Sequence, residues 1–294
     1  MQIIDGKEIS SQIKEELKKE VAALIDADKK APHLAAVLVG EDGPSQTYVN
    51  SKEKACKRIG MTSSVYRLPE TTTEKEVLET VDFLNNDPEV DGFIVQLPLP
   101  EHIDEDKVIQ SIAPEKDVDG FHPVNLGRMM LGQPAFLPAT PHGIMQLLER
   151  SNISVEGKHC VVLGRSNIVG TPVSVLMSRK SKPGNATVTL CHSRTKDIEK
   201  IIGQADILIA AIGKHHFVTG DMVKKDAVVI DVGIHRIEDS SKKKGYRLEG
   251  DVDYEAVSKK AAAITPVPGG VGPMTIAMLL WNTYQASQGT FYAK

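Results

Sequence analysis

The sequence predicts an α/β fold of two domains. The chain has 294 residues, and domains of ~100–200 residues make two the expected number. The strand-like segments are apolar runs at 34–39, 91–97, 159–163, 206–212 and 227–232, and alternating runs at 63–68 and 186–191. Most of them are separated by polar segments that look helical. Strands that alternate with helices in this way are typical of parallel sheets.

Two helices are predicted early in the chain. Apolar residues recur at helical spacing from Ile9 to Leu24 among lysines and glutamates, which indicates an amphipathic helix over 7–27. The next helix begins at Pro44-Ser45 and ends at Gly60, where proline and glycine are the expected boundary residues.

A domain border is predicted between about residues 122 and 158, where prolines and glycines interrupt the pattern before a helix at 142–150. The last helix, 274–287, follows Pro273 and is apolar enough to return to the first domain. We therefore expect one domain from residues 1–140 plus 273–294 and another from residues 141–272.

Composition excludes several classes of protein. A net charge of −4 gives no broad basic field, so no nucleic-acid partner is expected. The only tight basic run, Lys242–Lys244, is predicted to be a solvated hairpin tip between Glu238 and Tyr246. The three cysteines are far apart, which indicates no disulfide framework, no metal site and a reducing cytoplasm. No apolar run approaches the ~18 residues of a membrane span, so no membrane association is expected.

The most informative segment joins a buried strand to a helix at 171–180 through a turn from Gly164 to Gly170. A glycine at the end of a strand lets the backbone approach a pyrophosphate, and the N-terminus of the next helix attracts the anion. The spacing is not the standard G-x-G-x-x-G, so a purely structural turn is the alternative. The second strand at 186–191 completes a Rossmann-like dinucleotide-binding unit.

The end of that second strand bears on the choice of dinucleotide. An NAD enzyme usually has an acid there to bind the ribose hydroxyls, but this chain has Ser193 and Arg194. Together with Arg165, they suit a 2′-phosphate, since guanidinium groups pair with phosphate through two hydrogen bonds. The predicted cofactor is NADP.

Chemistry-bearing residues also occur before the glycine turn. Tyr48 and Lys52 lie four residues apart in the predicted helix and share one face, either in a cleft or as an ordinary surface pair. A lysine that transfers protons near neutral pH needs a lowered pKa. Gln96 follows a buried strand, at the sheet edge where ligands usually bind.

Two loops complete the candidate site. The segment 117–123 contains two acids and a histidine, which would either cap helices and form turns or leave a carboxylate to accept N–H bonds from a heterocycle. The segment 264–275 contains three prolines and three glycines within eight residues, and is predicted to be neither helix nor central strand. It suits a main chain pressed against a flat ligand, with an interdomain linker as the alternative.

Five motifs in this order resemble the bifunctional methylenetetrahydrofolate dehydrogenase/methenyltetrahydrofolate cyclohydrolase family. They are Tyr48-x-x-x-Lys52, Gln96-Leu-Pro-Leu-Pro, Lys116-Asp-Val-Asp-Gly-Phe-His, Gly164-Arg-Ser-Asn-Ile-Val-Gly and Pro266-Val-Pro-Gly-Gly-Val-Gly-Pro-Met-Thr. The resemblance extends from near residue 3 to about residue 287. It implies NADP-dependent oxidation of 5,10-methylenetetrahydrofolate to the 5,10-methenyl form, and hydrolysis in the same site to 10-formyltetrahydrofolate.

The resemblance also implies residue roles. Lys52 would transfer protons in the hydrolysis, Gln96 would position Lys52, Tyr48 would orient the pterin, and Asp119 would bind the pterin edge. The implied cofactor-binding residues are Gly164, Arg165, Ser166, Ser193, Arg194 and Ile234. The implied substrate-binding residues are Tyr48, Gln96, Leu97, Asp119, Pro268, Gly269 and Gly270. The family further implies a homodimer acting on one-carbon derivatives of tetrahydrofolate.

Two alternatives stay open at this point. One is a family member that performs only the dehydrogenase step, with either NADP or NAD. The other is a catalytically silent NADP-binding sensor that uses the substrate cleft to recognise a partner.

Overall fold

The computed structural model describes residues 1–242 and 245–292, which divide into two compact units. Residues 12–139 with those from 276 onward form the three-stranded unit, and residues 1–11 with 140–275 form the six-stranded unit. The six-stranded unit includes residues 1–11, which we expected in the domain of residues 1–140 plus 273–294. The reason is the short strand β1 (Gln2–Ile3), which pairs in parallel with β11 (Ala263–Ile264). A strand of two residues is too short to give a periodic pattern that would predict it from the sequence.

The six-stranded unit contains a fully parallel sheet in the order β1-β11-β8-β7-β5-β6. The chain passes from β5 to its neighbour β6 on one side and then to β7 on the other. The carboxyl ends of β5 and β7 therefore form the crevice where ligands bind in doubly wound sheets. The further bounds are β5 His159–Leu163, α7 Gly170–Ser178, β6 Thr187–Cys191, α8 Ile198–Ile202, β7 Ile207–Ala210, β8 Val228–Asp231 and α9 Tyr254–Ser258.

The three-stranded unit has a parallel sheet in the order β3-β2-β4. The central strand β2 (His33–Val39) is apolar at every position after its first residue, as expected where helices cover both faces of a parallel sheet. The other elements of this unit are α2 Gly43–Ile59, β3 Thr62–Leu68, α3 Glu74–Asn86, β4 Gly92–Val95, α4 Glu105–Ser111 and α5 Pro123–Met130. All seven predicted strands are confirmed, with small differences at their ends.

The helices α1 (Gly6–Asp26), α6 (Ala139–Arg150) and α10 (Val271–Ser287) contain the unit borders. The predicted starts of α6 and α10 were wrong because both helices begin before a proline. Pro141 and Pro273 lie in the first turn, where an N–H has no intrahelical partner and its loss costs nothing. The residues of α10 from 276 onward belong to the three-stranded unit, which confirms the predicted return of the C-terminal helix.

The prediction that 264–275 is neither helix nor central strand was wrong at both ends. Ile264 lies in β11, between β1 and β8, and the segment from Val271 onward is helical. Only the stretch between them is irregular. Its prolines do not interrupt the sheet because β11 ends before the first of them.

The remaining strands, β9 (His235–Glu238) and β10 (Tyr246–Glu249), pair antiparallel with Glu238 opposite Tyr246. The predicted hairpin is therefore present, whereas Lys243 and Lys244 of its predicted tip lie outside the described residues. The three cysteines are free and buried. Among the described residues, the structure contains no helix of the length and apolarity that a membrane span requires.

Candidate active site

Helix α2 carries the first group of candidate residues. The Asp42 carboxylate accepts the Ser45 N–H at 2.8 Å and caps the helix, while Gly60 ends it in the left-handed conformation at φ 86°. The helix therefore fixes Tyr48 and Lys52 one turn apart on one face. The Lys52 residue is only 4% exposed, which contradicts the surface-pair alternative.

Two neighbours hold the Lys52 amine. Its Nζ donates to Gln96 Oε1 at 3.1 Å and lies 4.5 Å from the centroid of the Tyr48 ring. Gln96 follows β4 directly, and its Nε2 donates to the Leu97 carbonyl at 2.6 Å. Because the amide nitrogen is engaged there, the amide oxygen must face the amine. Strand β4 and helix α2 thus assemble a positioned lysine from residues 44 apart in sequence.

Burial dominates the electrostatics of this cluster. Desolvation lowers the pKa of the Lys52 amine below its usual value of 10.5, although the negative charge of Asp119 opposes the shift. Desolvation likewise raises the pKa of Asp119 to about 6, against the attraction of Lys52 and with a further contribution from Asp117. An amine and a carboxyl group whose pKa values move toward neutrality are suited to proton transfer.

The two acids of the 117–123 loop differ in their contacts. Turn formation, the first predicted role, applies to Asp117, and a carboxylate open to a ligand, the second, applies to Asp119. The buried Asp117 carboxylate accepts the N–H groups of residues 120, 121 and 122 and the side-chain amide of Asn125. Asp117 therefore builds the loop, and His122 caps α5 by accepting the Val124 N–H. Asp119 is left as the carboxylate available to a ligand.

The glycine turn lies at the carboxyl end of β5, as predicted. Gly164 has φ +104°, and a Cβ there would lie 2.0 Å from the Ala211 carbonyl oxygen. Only glycine allows this approach to the end of β7. The Gly164 N–H donates to the Cys191 carbonyl at 2.9 Å, which brings the turn beside the loop that follows β6.

This junction gathers most of the predicted cofactor residues. Arg165, Ser166, Ser193 and Arg194 are all exposed around it. The Ser166 hydroxyl accepts the Val169 N–H at 3.2 Å, which stabilises the start of α7. Two exposed arginines in the loops that meet at this glycine turn fit a phosphorylated dinucleotide.

Ile234 and the Pro268–Gly270 stretch form a third group. Ile234 is 59% exposed in the turn after β8, and it lines a cavity of about 140 Å³ with Pro268, Gly269 and Gly270. The Lys7 N–H donates to the Gly269 carbonyl at 3.0 Å and anchors this stretch. The predicted site residues thus form one cluster in the three-stranded unit and two in the six-stranded unit.

Comparison with known proteins decides the family. The catalytic domain of the tetrahydrofolate dehydrogenase/cyclohydrolase family matches residues 4–119, and the NAD(P)-binding domain of the same family matches residues 138–291. The chain belongs to this family. The bifunctional protein FolD of Cytophaga hutchinsonii is 62% identical over 287 residues, with 98% of this chain and 99% of the relative covered.

Solved structures of family members agree. The bifunctional FolD of Campylobacter jejuni superposes with a TM-score of 0.92 at 47% identity, with 99% of each chain covered. The FolD of Trypanosoma brucei, solved with NADP and an inhibitor, gives 0.93 at 40% identity, covering 99% of this chain and 98% of that one. Membership of the tetrahydrofolate dehydrogenase/cyclohydrolase family confirms the predicted fold, the enzyme class and a nicotinamide dinucleotide cofactor.

The sequence analysis assigned no role to Asp231, which precedes Ile234 by three residues. Asp231 ends β8, and its carboxylate accepts the N–H groups of Gly233, Asp251 and Val252. Burial raises the pKa of Asp231 to about 6, and these hydrogen bonds oppose the shift. An acid at the end of an apolar strand, two residues before a glycine, was the available signal. Asp231 shapes the turn that presents Ile234.

Proposed function

We propose that this chain oxidises 5,10-methylenetetrahydrofolate with NADP⁺ and then hydrolyses the 5,10-methenyl product to 10-formyltetrahydrofolate. The observation that carries the proposal is the buried Lys52 amine, held by Gln96 and the Tyr48 ring in a chain that also has a dinucleotide-binding turn. The first feature suits proton transfer in the hydrolysis and the second suits hydride transfer in the oxidation.

The oxidation requires alignment more than acid–base chemistry. The reacting carbon lies between two nitrogens, whose lone pairs stabilise the cation that loss of a hydride leaves, and NADP⁺ would supply the hydride acceptor when bound. Tyr48 orients the folate ring, and Asp119 binds its nitrogen-rich edge. Leu97 and the Pro268–Gly270 stretch complete the substrate contacts. Gly164, Ser166 and Ile234 serve the cofactor.

The hydrolysis requires proton management. Water adds to the methenyl carbon and releases one proton. The bond from that carbon to a ring nitrogen then breaks as the remaining hydroxyl proton passes to the nitrogen and the formyl C=O forms. A buried lysine with a lowered pKa can accept and return such protons. Gln96 acts as a positioning residue, because its oxygen holds the amine in place.

Cofactor selection provides the first prediction. Arg165, with Ser193 and Arg194, binds the 2′-phosphate, so Arg165→Ala should lower kcat/KM for NADP by about 10–100-fold, the loss expected for a charge-assisted pair, and leave that for NAD nearly unchanged. The matched control is Lys196→Ala, which removes an exposed cation from the loop that follows β6. Equal losses with both cofactors, measured by initial rates, would contradict the role.

The Asp119 carboxylate gives a second prediction, from its pKa of about 6. Above this pH it is ionised and accepts N–H bonds from the folate; as the pH falls through 6 it becomes protonated and loses an acceptor. The folate KM should therefore rise, by about tenfold at pH 5, the ratio a single titration gives. In Asp119→Asn this rise should be absent. A KM in the native enzyme that is flat from pH 7 to pH 5 would exclude this role.

We further infer a cytoplasmic homodimer that binds neither nucleic acid nor membrane. The dimer rests on the family resemblance, and the absence of nucleic-acid binding rests on the net charge of −4. Light scattering on the purified chain tests the dimer, since a single monomeric mass at micromolar concentration would refute it.

The whole proposal is tested with purified protein, 5,10-methylenetetrahydrofolate and either NADP or NAD. Reduced cofactor, methenyl intermediate and 10-formyl product are followed separately. We expect reduced NADP and 10-formyltetrahydrofolate to accumulate together. An arrest at the methenyl form would indicate a dehydrogenase alone, and NADP binding without turnover would indicate the sensor.

A further inference from the structure

Two histidines and a glutamate meet on the six-stranded unit, in a cluster formed by His215, His216 and Glu249. The His215 Nε2 donates to Glu249 Oε2 at 2.5 Å, and the His216 Nε2 lies 3.2 Å from the same oxygen. Candidate ligand atoms of the three residues all lie within 4.8 Å of one another. The cluster is separate from the residues to which the proposed reaction assigns roles.

From this geometry we propose that His215, His216 and Glu249 bind a divalent transition-metal ion of the zinc type. Two imidazole nitrogens and one carboxylate oxygen are a ligand set typical of zinc sites that leave a fourth position open. Ligand distances of ~2.0–2.2 Å place tetrahedral ligand atoms ~3.3 Å apart. The His216–Glu249 separation already approaches this value, and the His215–Glu249 separation reaches it through a small side-chain movement.

Hydrogen bonds of the backbone fix the loop that carries His215 and His216. The His216 N–H donates to the Gly250 carbonyl at 3.2 Å, and the Ile212 and Gly213 N–H groups donate to the Asp251 carboxylate at 2.8 and 2.9 Å. These bonds attach the loop after β7 to the chain that follows β10. The ligands therefore need little ordering when an ion binds, which lowers the entropic cost of binding.

The side chain of Glu249 is already oriented, whereas one imidazole has to turn. The rings of His215 and His216 stack with centroids 3.9 Å apart at an interplanar angle of 21°, so rotation of one ring brings both nitrogens onto a single ion. Arg247 Nε donates to Glu249 Oε1 at 2.5 Å, which orients the carboxylate and leaves Oε2 toward the imidazoles. Such support of a ligating carboxylate is typical of metal sites.

The cluster is accessible to an ion. The side chains of His215 and His216 are 37% and 39% exposed, whereas that of Glu249 is 19% exposed. His216 and Glu249 line a cavity of about 600 Å³, which leaves room for a water as the fourth ligand. The neighbouring His235 contributes no ligand, because its Nε2 is engaged by the Asp251 carboxylate at 2.8 Å.

The test uses the full-length chain after dialysis against a chelator, titrated with ZnCl₂ in a calorimeter. We expect one Zn²⁺ per chain, and a Kd at least about 100-fold weaker in His216→Ala and in Glu249→Gln, since even the loss of a supporting residue typically costs 10–100-fold. The exposed His102→Gln, in the three-stranded unit, is the matched control and should bind as the native chain does. Mg²⁺, which prefers an octahedral set of oxygen ligands, should not compete.

X-ray absorption at the zinc edge supplies a second readout, with two imidazole nitrogens and a carboxylate oxygen expected. Absence of stoichiometric Zn²⁺ binding in the native chain would overturn the proposal, as would native affinity in either cluster variant. If Glu249→Gln does not fold, as circular dichroism would reveal, His216→Ala alone decides. The outcome is independent of the folate activity, because the assay contains neither folate nor NADP.

Discussion

Lys52→Met should abolish the hydrolysis and leave much of the oxidation. The substitution removes the buried amine and keeps an unbranched side chain of similar size, so the core of α2 is preserved. Loss of a proton-transfer group typically costs 10²–10⁴-fold, so hydrolysis of added 5,10-methenyltetrahydrofolate should fall by about 10³-fold. The dehydrogenase rate should stay within about tenfold, since hydride transfer requires alignment and no strong base.

The matched control is Lys54→Met, which removes an exposed lysine from the same helix and should change neither rate. In the coupled reaction, Lys52→Met should accumulate the methenyl form while NADPH still appears. Hydrolysis at the native rate in this variant would remove Lys52 from the chemistry, whatever its burial.

Gly164→Ala should abolish productive cofactor binding. The added Cβ would lie 2.0 Å from the Ala211 carbonyl oxygen, on backbone that belongs to the sheet edge, and φ +104° is itself unfavourable for alanine. Steric overlap and backbone strain together should lower the free energy of unfolding by about 3 kcal/mol or more. We expect the Kd for NADP, measured by fluorescence titration, to rise at least about 100-fold, because relief of the overlap displaces the turn.

Gly157→Ala separates the two causes. Gly157 also has a positive φ, +71°, but nothing lies within 4 Å of a Cβ there. It should cost about 1 kcal/mol through strain alone and leave the Kd for NADP unchanged. A Gly164→Ala enzyme with native NADP affinity and native thermal stability would show that the close approach at Gly164 is not required.

Local signals allowed much of the fold to be predicted. The apolar runs located the parallel strands, and Pro44 and Gly60 located α2, because strand burial and helix termination act over a few residues. The spacing of Tyr48 and Lys52 was sufficient to place them on one face. The two-residue strands β1 and β11 were missed, since their pairing joins segments about 260 residues apart.

Contacts distant in sequence account for what could not be predicted at the site. The sequence contains both Asp117 and Asp119, but only the structure shows that the Asp117 carboxylate accepts hydrogen bonds from the N–H groups of its own loop. The Lys52–Gln96 hydrogen bond depends on the placement of β4 beside β2, and the cluster of His215, His216 and Glu249 depends on the hairpin. No local pattern records such pairings.

The most direct test of the proposed chemistry is the pKa of the Lys52 amine itself. Protein labelled with ¹⁵N at lysine Nζ can be titrated by NMR, with the Lys52 signal assigned by its absence in Lys52→Met. We predict a pKa clearly below 10.5, because burial disfavours the charged amine, and an upward shift when Gln96 is replaced by glutamate. A Lys52 amine that titrates at or above 10.5 would contradict its role in transferring protons at neutral pH.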